Sequence, residues 1–138
     1  MDDTFRQLYA VYARQQDAPA PYSYCGTRFY RGVAPDGAAR PYIVVTLVGG
    51  SINWLFGDAQ IEAARVQFDV IDDFAGDADD AHAIWTGLVK VLEKATLAST
   101  DNSEFLVLRR EGLPREVVEP PVCQISGDWL LERQVTKA

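Results

Sequence analysis

Residues 28–50, RFYRGVAPDGAARPYIVVTLVGG, and residues 62–73, EAARVQFDVIDD, carry the reading that decides the fold. Aromatic and β-branched residues cluster here between glycine and proline punctuation, the pattern of strands joined by tight connections. A first strand is predicted at Thr27–Gly32. In VAPDGAAR, which follows, Pro35-Asp36-Gly37 has the chemistry of a tight turn. Pro41 then opens a second strand, Tyr42–Val48, at a position where a missing N–H is tolerated. That strand is apolar on both faces, with Ile43, Val45 and Leu47 on one and Tyr42, Val44 and Val48 on the other. Such a strand needs a layer on each side, from its own chain or from a neighbour. A third strand, Ala64–Ile71, alternates: Val66, Phe68 and Val70 face inward, and Arg65, Gln67 and Asp69 outward.

Working outward, the connection SINWLFGDAQ (residues 51–60) is more apolar than a solvated loop. Trp54, Leu55 and Phe56 either fold back into the core or form a contact patch. The acidic run DDFAGDADD (residues 72–80) leads into the strongest helix signal, Asp79–Leu97. Ala81, Ile84, Trp85, Leu88, Leu92 and Ala95 form its apolar stripe, while Lys90, Glu93 and Lys94 face water. Asp77 or Asp79 caps its N-terminus, and Asp80 complements the helix dipole. Strands follow at Glu104–Arg110 and Pro121–Gln134, the second interrupted by a turn or bulge at Gly127-Asp128. Upstream, a helix capped by Asp2 or Asp3 runs to about Gln16, with Phe5, Leu8, Tyr9 and Tyr12 on one face. The prolines of DAPAPYSYCG end it. The expected architecture is α+β in one domain spanning residues 1–138: a mainly antiparallel sheet with an N-terminal helix and one long central helix on one face.

Composition narrows the function. A net charge of −7 opposes nonspecific nucleic-acid binding, which needs clustered Lys and Arg to neutralise phosphates. The longest apolar run, Tyr42–Val48, is far too short to cross a bilayer, and the N-terminus lacks the pattern of a secretory signal. A protein made and folded in the cytoplasm, with no membrane partner, is expected. Two cysteines, Cys25 and Cys123, make neither a disulfide framework nor a zinc site.

Catalytic constellations are missing from the sequence. His82 is the sole histidine, which excludes histidine dyads and multi-histidine metal sites. The aspartates at 72, 73, 77, 79 and 80 lack the alternation and terminal Glu of a calcium loop, and read as caps and solubilising groups. Glu62 and Asp69 point to opposite faces of one extended segment, so they do not form a hydrolytic pair. Ser51, Ser99 and Ser126 lack a nucleophile-elbow setting, and Gly49-Gly50 is not followed by the residues of a phosphate loop. No enzyme, no cofactor and no metal is the expectation.

Segment Arg28–Leu97 resembles the tail-completion, or tail-terminator, family of long-tailed bacteriophages and prophages. The resemblance rests on Arg28-Phe29-Tyr30, Val33-Ala34-Pro35, Pro41-Tyr42-Ile43-Val44-Val45, Arg65-Val66-Gln67-Phe68-Asp69-Val70, and an Asp-led helix containing Ala81, Leu88 and Leu92. It covers about half the chain, through the order and spacing of these pieces. It implies a small α+β protomer that forms a ring, typically a hexamer, on the end of the tail tube. There the ring stops elongation and makes the head-tail joining surface. The implied partners are further copies of itself, the tail tube protein and the head-tail connector protein, and its place is the virion tail. A ring needs two different patches on each subunit, and the two-sided strand Tyr42–Val48 and the apolar loop Ile52–Phe56 are the candidates. The expected oligomer or partner contacts are Tyr42, Val44, Trp54, Leu55, Phe56, Asp72, Asp73 and Asp77, within or beside the loops Gly49–Gln60 and Asp72–Asp80. The alternative is a stand-alone bacterial module that binds a protein or a small ligand in a sheet-edge groove.

Overall fold

The computed structural model describes residues 4–14, 21–55, 57, 59–74, 76–93, 97 and 103–136. In chain order the elements are α1 (Thr4–Ala13), α2 (Tyr22–Cys25), β1 (Phe29–Arg31), β2 (Tyr42–Trp54), β3 (Ala59–Asp73), α3 (Asp79–Glu93), β4 (Ser103–Arg110), β5 (Arg115–Glu119) and β6 (Val122–Thr136). The strands form one sheet in the order β1-β2-β3-β6-β4, with β5 also pairing to β6. Only β1–β2 is parallel; every other pairing is antiparallel. The α+β architecture is thus the expected one, with α1 and α3 packed on one face of the sheet.

The alternation of β3 builds that face. Val66, Phe68 and Val70 are fully buried, and the register sets them opposite Trp129, Gly127 and Ile125 of β6. The α3 stripe of Ala81, Ile84, Trp85, Leu88, Val91 and Leu92 closes over them. Trp129 sits at the centre, 5.0 Å from the Phe68 ring and 5.2 Å from the Trp85 ring. On the other flank α1 docks through aromatics around Phe29, with Tyr12 stacked on it at 4.6 Å. The Tyr12 hydroxyl donates to the Gly26 carbonyl at 2.6 Å, so its polar end is satisfied inside the core. Arg28 fixes the entry to β2 by donating to the carbonyls of Pro41 and Tyr24.

Four local readings change. β2 does not stop at Val48 but runs to Trp54, and β3 begins at Ala59, so residues 51–54 and 59–60 are paired strand and not loop. Ser51-Ile52-Asn53-Trp54 is itself an alternating strand pattern, hidden behind two glycines. β6 passes Gly127-Asp128 without a break, because Gly127 serves packing instead of a turn: a Cβ there would lie 2.4 Å from the Trp85 ring. Two short elements, α2 and β5, were not anticipated from the sequence. The capping residues Asp2 and Asp3, the end of the first helix at Gln16 and residues 94–96 of the central helix fall outside the described residues, and Leu97, read as that helix's end, is buried but not helical.

Candidate functional site

A bulge between Leu47 and Gly49 divides β2 into two unlike halves. Before it, Ile43 and Val45 point into the core. After it, the parity of the strand shifts, and Ile52 and Trp54 lie on the helix-bearing face, opposite Glu62 and Gln60. Every described residue from Leu47 to Gly57 is exposed, including Ile52 at 55% and Trp54 at 62%. The glycines permit this geometry. Gly49 adopts φ 120°, and a Cβ on Gly50 would overlap the Ala63 carbonyl oxygen at 1.9 Å. The result is an apolar arm, the Leu47–Leu55 stretch of β2, which carries no charged residue and forms an edge of the sheet against β3, itself paired to β6.

The expected contact residues separate into three groups. Trp54 and Leu55 belong to the exposed arm, and Phe56 lies outside the described residues. Tyr42 and Val44 sit on the helix-free face of the sheet. Tyr42 is half-buried with its ring 5.8 Å from that of Tyr30, and Val44 is only 6% exposed. The aspartates fall at the other end of β3, far along the strand from the arm. Asp73 pairs with Arg40 at 2.7 Å, and Asp77 accepts from the Asp79 N–H at 3.1 Å, an N-terminal cap for α3. Among the described residues no three His, Cys, Asp or Glu side chains gather as a metal site.

The helix-free face carries polar groups in register. Gln67 donates to Asp69 at 2.9 Å, and Gln124 donates to Ser126 at 2.9 Å and to Asp69 at 3.4 Å. These side chains satisfy one another, which leaves the apolar arm as the more adhesive surface. His82, in the first turns of α3, pairs with Glu116 of β5 at 3.0 Å and takes no part in the arm.

Asp72 is the one carboxylate of the group that is buried, 7% exposed. Burial pushes its pKa up, Asp80 and Asp73 add to the rise, and the Asp73 N–H and Arg40 oppose it. A folded-state pKa above the unfolded one means that protonation favours the fold. The stabilisation is full below the unfolded value, about 3.9, and is lost as pH rises through the folded value. Asp72→Asn, which keeps an acceptor for the Asp73 N–H, is expected to raise the melting temperature at pH 7, with the gain closing as the pH falls below about 4. Paired melts of the two proteins across that range check it. The two thiols are also buried, and desolvation pushes Cys25 up to about 12, so neither is primed as a nucleophile.

The fold itself has a counterpart among solved structures. The chain is similar to a chain in the virion of a native gene transfer agent particle, with a TM-score of 0.63 and 21% identity. The alignment covers 95% of this chain and 94% of the other. No protein-family model matches the sequence, and no curated protein matches it. At this identity the likeness is one of fold, and it extends over nearly the whole of both chains, including the C-terminal third.

The sequence reading took the Ile52–Phe56 stretch as a candidate patch but missed that Ile52 lies on a strand, and with it the free edge of β2. The signal was present as the polar–apolar alternation from Ser51 to Trp54. It also missed β5, where Val117 and Val118 are exposed on a second open strand.

Proposed function

We propose that this protein is a noncatalytic assembly component of a phage-like particle, a ring that caps the tail tube. In this reading several copies, six by the family resemblance, close on the tube end, stop its elongation and present the surface that the head-tail connector meets. The carrying observation is the fold shared with a virion chain over almost the full length of both. The resemblance of residues 28–97 to tail-terminator proteins supports the same role. So does the arm, since an exposed apolar edge strand on an otherwise acidic protomer is suited to protein contact. The net charge of −7 suits a channel wall along which DNA slides without adhering.

The test is to add the purified protein to polymerising tail-tube protein from the same genome and to image the products by negative stain. Tubes of arrested length with this chain at one end are the expected result. Unaltered tube growth, with no ring in light scattering at any concentration, would turn the assignment toward a stand-alone binding module.

Trp54→Ala separates contact from folding. Removing a side chain this exposed is expected to change the stability of the protomer by no more than about 0.5–1 kcal/mol. Loss of a tryptophan anchor from an interface costs about 2 kcal/mol or more, roughly a 30-fold drop in affinity. Thermal melts of the protomer and the concentration dependence of assembly measure the two effects separately.

A further inference from the structure

The sheet has two open edges, and their geometry matches. On one side β1 covers only Ile43–Val45 of β2, so beyond that point β2 has no strand partner among the described residues on its outer edge. On the other side, among the described residues, β4 is the outermost strand over Ser103–Arg110. The registers place these edges in the same rows. Trp54 aligns through Gln60 and Val135 with Ser103, and Gly49 aligns through Arg65 and Leu130 with Arg109. Three successive antiparallel pairings also make β2 and β4 run in opposite directions.

We infer that the outer edge of β2, Gly49–Trp54, pairs antiparallel with the outer edge of β4 in a second copy of this chain, so that the sheet continues from copy to copy. A neighbour displaced sideways in the plane of the sheet brings its β2 against β4 level with it and in the favoured antiparallel sense. The donors are positioned for it. Leu55 donates to the Ala59 carbonyl inside the hairpin, so by alternation the backbone groups of Gly50, Ile52 and Trp54 face the open edge. The edge also lacks the usual protection, since Leu47–Leu55 contains no charged residue and no proline. Each edge carries one bulge, at Val48 and at Leu106, and the segment from Gly50 to Trp54 stays in regular register. Because the two edges differ, the contact is head-to-tail, and it closes into a ring or grows as a filament according to the angle between neighbours. The proposal rests on the ring reading for its biological setting and names the surface that would make the ring.

Asn53 and Glu104 are exposed, share one row and lie on the same face of the sheet. Within one chain three strand spacings, roughly 14 Å, separate them, too far for a disulfide. The double variant Asn53→Cys with Glu104→Cys, oxidised at high protein concentration, is expected to give a ladder of linked copies on non-reducing gels. Either single variant gives at most a linked dimer. Ile52→Pro removes an edge-facing N–H at a position where proline leaves the β3 pairing intact. It is expected to keep the melting transition and abolish the ladder in the double-cysteine background. A ladder ending at one closed species supports both the edge and the ring. An open ladder of indefinite length supports the edge and overturns the ring. A discrete particle that forms without cross-links and survives Ile52→Pro overturns the edge and keeps the ring. No ladder and no particle at any concentration overturns the edge pairing.

Discussion

Trp129→Ala is expected to lower the unfolding free energy by about 3–5 kcal/mol, the range for removing a buried tryptophan from a packed core. For a chain of this size that corresponds to a fall in melting temperature of roughly 10–20 °C. Trp129 is fully buried, edge-on to Phe68 and against Trp85, so truncation leaves a cavity bounded by β3, β6 and α3 that none of them can close alone. The neighbouring residue behaves in the opposite sense. Gly127 has a bare backbone because the Trp85 ring occupies the place of its side chain, and a Cβ would meet that ring at 2.4 Å and 2.7 Å. Gly127→Ala therefore overpacks the same layer, at about 1–3 kcal/mol. Pairing it with Trp85→Leu should recover part of that loss, since the double variant removes the clash. Urea melts of the two single variants and the double measure the coupling. Strict additivity would mean that the Trp85–Gly127 contact does not constrain the core.

This layer also marks how far the sequence could be read. Val66, Phe68 and Val70 announced their face through period-two alternation, and the α3 stripe announced its own through 3–4 spacing. Both signals come from water contact on one side, so they survive in a single sequence. Gly127-Asp128 carried the same letters as a turn, yet the glycine answers to a tryptophan 42 positions away (Trp85) that no local pattern can name. Tertiary packing decided that position.

The arm was half legible for a related reason. Trp54 and Leu55 stood out as bulky apolar groups in a connection, and both are exposed. The connection itself was misread, because Gly49-Gly50 looks like a loop when strand pairing is unknown. In the structure these glycines mark a bulge and a close approach between β2 and β3. The aspartates were legible as caps and surface charge at Asp77 and Asp73, and less so at Asp72. Its burial follows from the inward parity that β3 maintains from Val66 through Val70 to its end. Strand order was beyond reach from one sequence, and with it the fact that β2 and β4 form opposite edges of the sheet in matching rows.

Gly50→Ala is expected to be the most damaging single methyl in the arm, at about 3 kcal/mol. The added Cβ would overlap the Ala63 carbonyl oxygen at 1.9 Å and approach the Ala64 Cα to 2.8 Å. Both are backbone atoms of the partner strand, so no rotamer change relieves the contact, and β2 must move off β3 beside the bulge. Gly49 gives the contrast. Nothing lies within 4 Å of its Cβ position, and a substitution there carries only the strain of φ 120°, about 1–2 kcal/mol. Ser51→Ala, one residue further along an exposed strand, should be close to neutral. Hydrogen exchange separates local from global damage: in Gly50→Ala, amides paired across Ser51–Ala63 and Asn53–Ile61 should lose protection well before those of the Val66–Val70 core. Wild-type protection of those pairs would refute the close-approach argument. If the arm is displaced as expected and particles still assemble, the contact surface lies elsewhere on the protomer. If assembly fails while the core amides stay protected, the free edge of β2 is the element on which self-association depends.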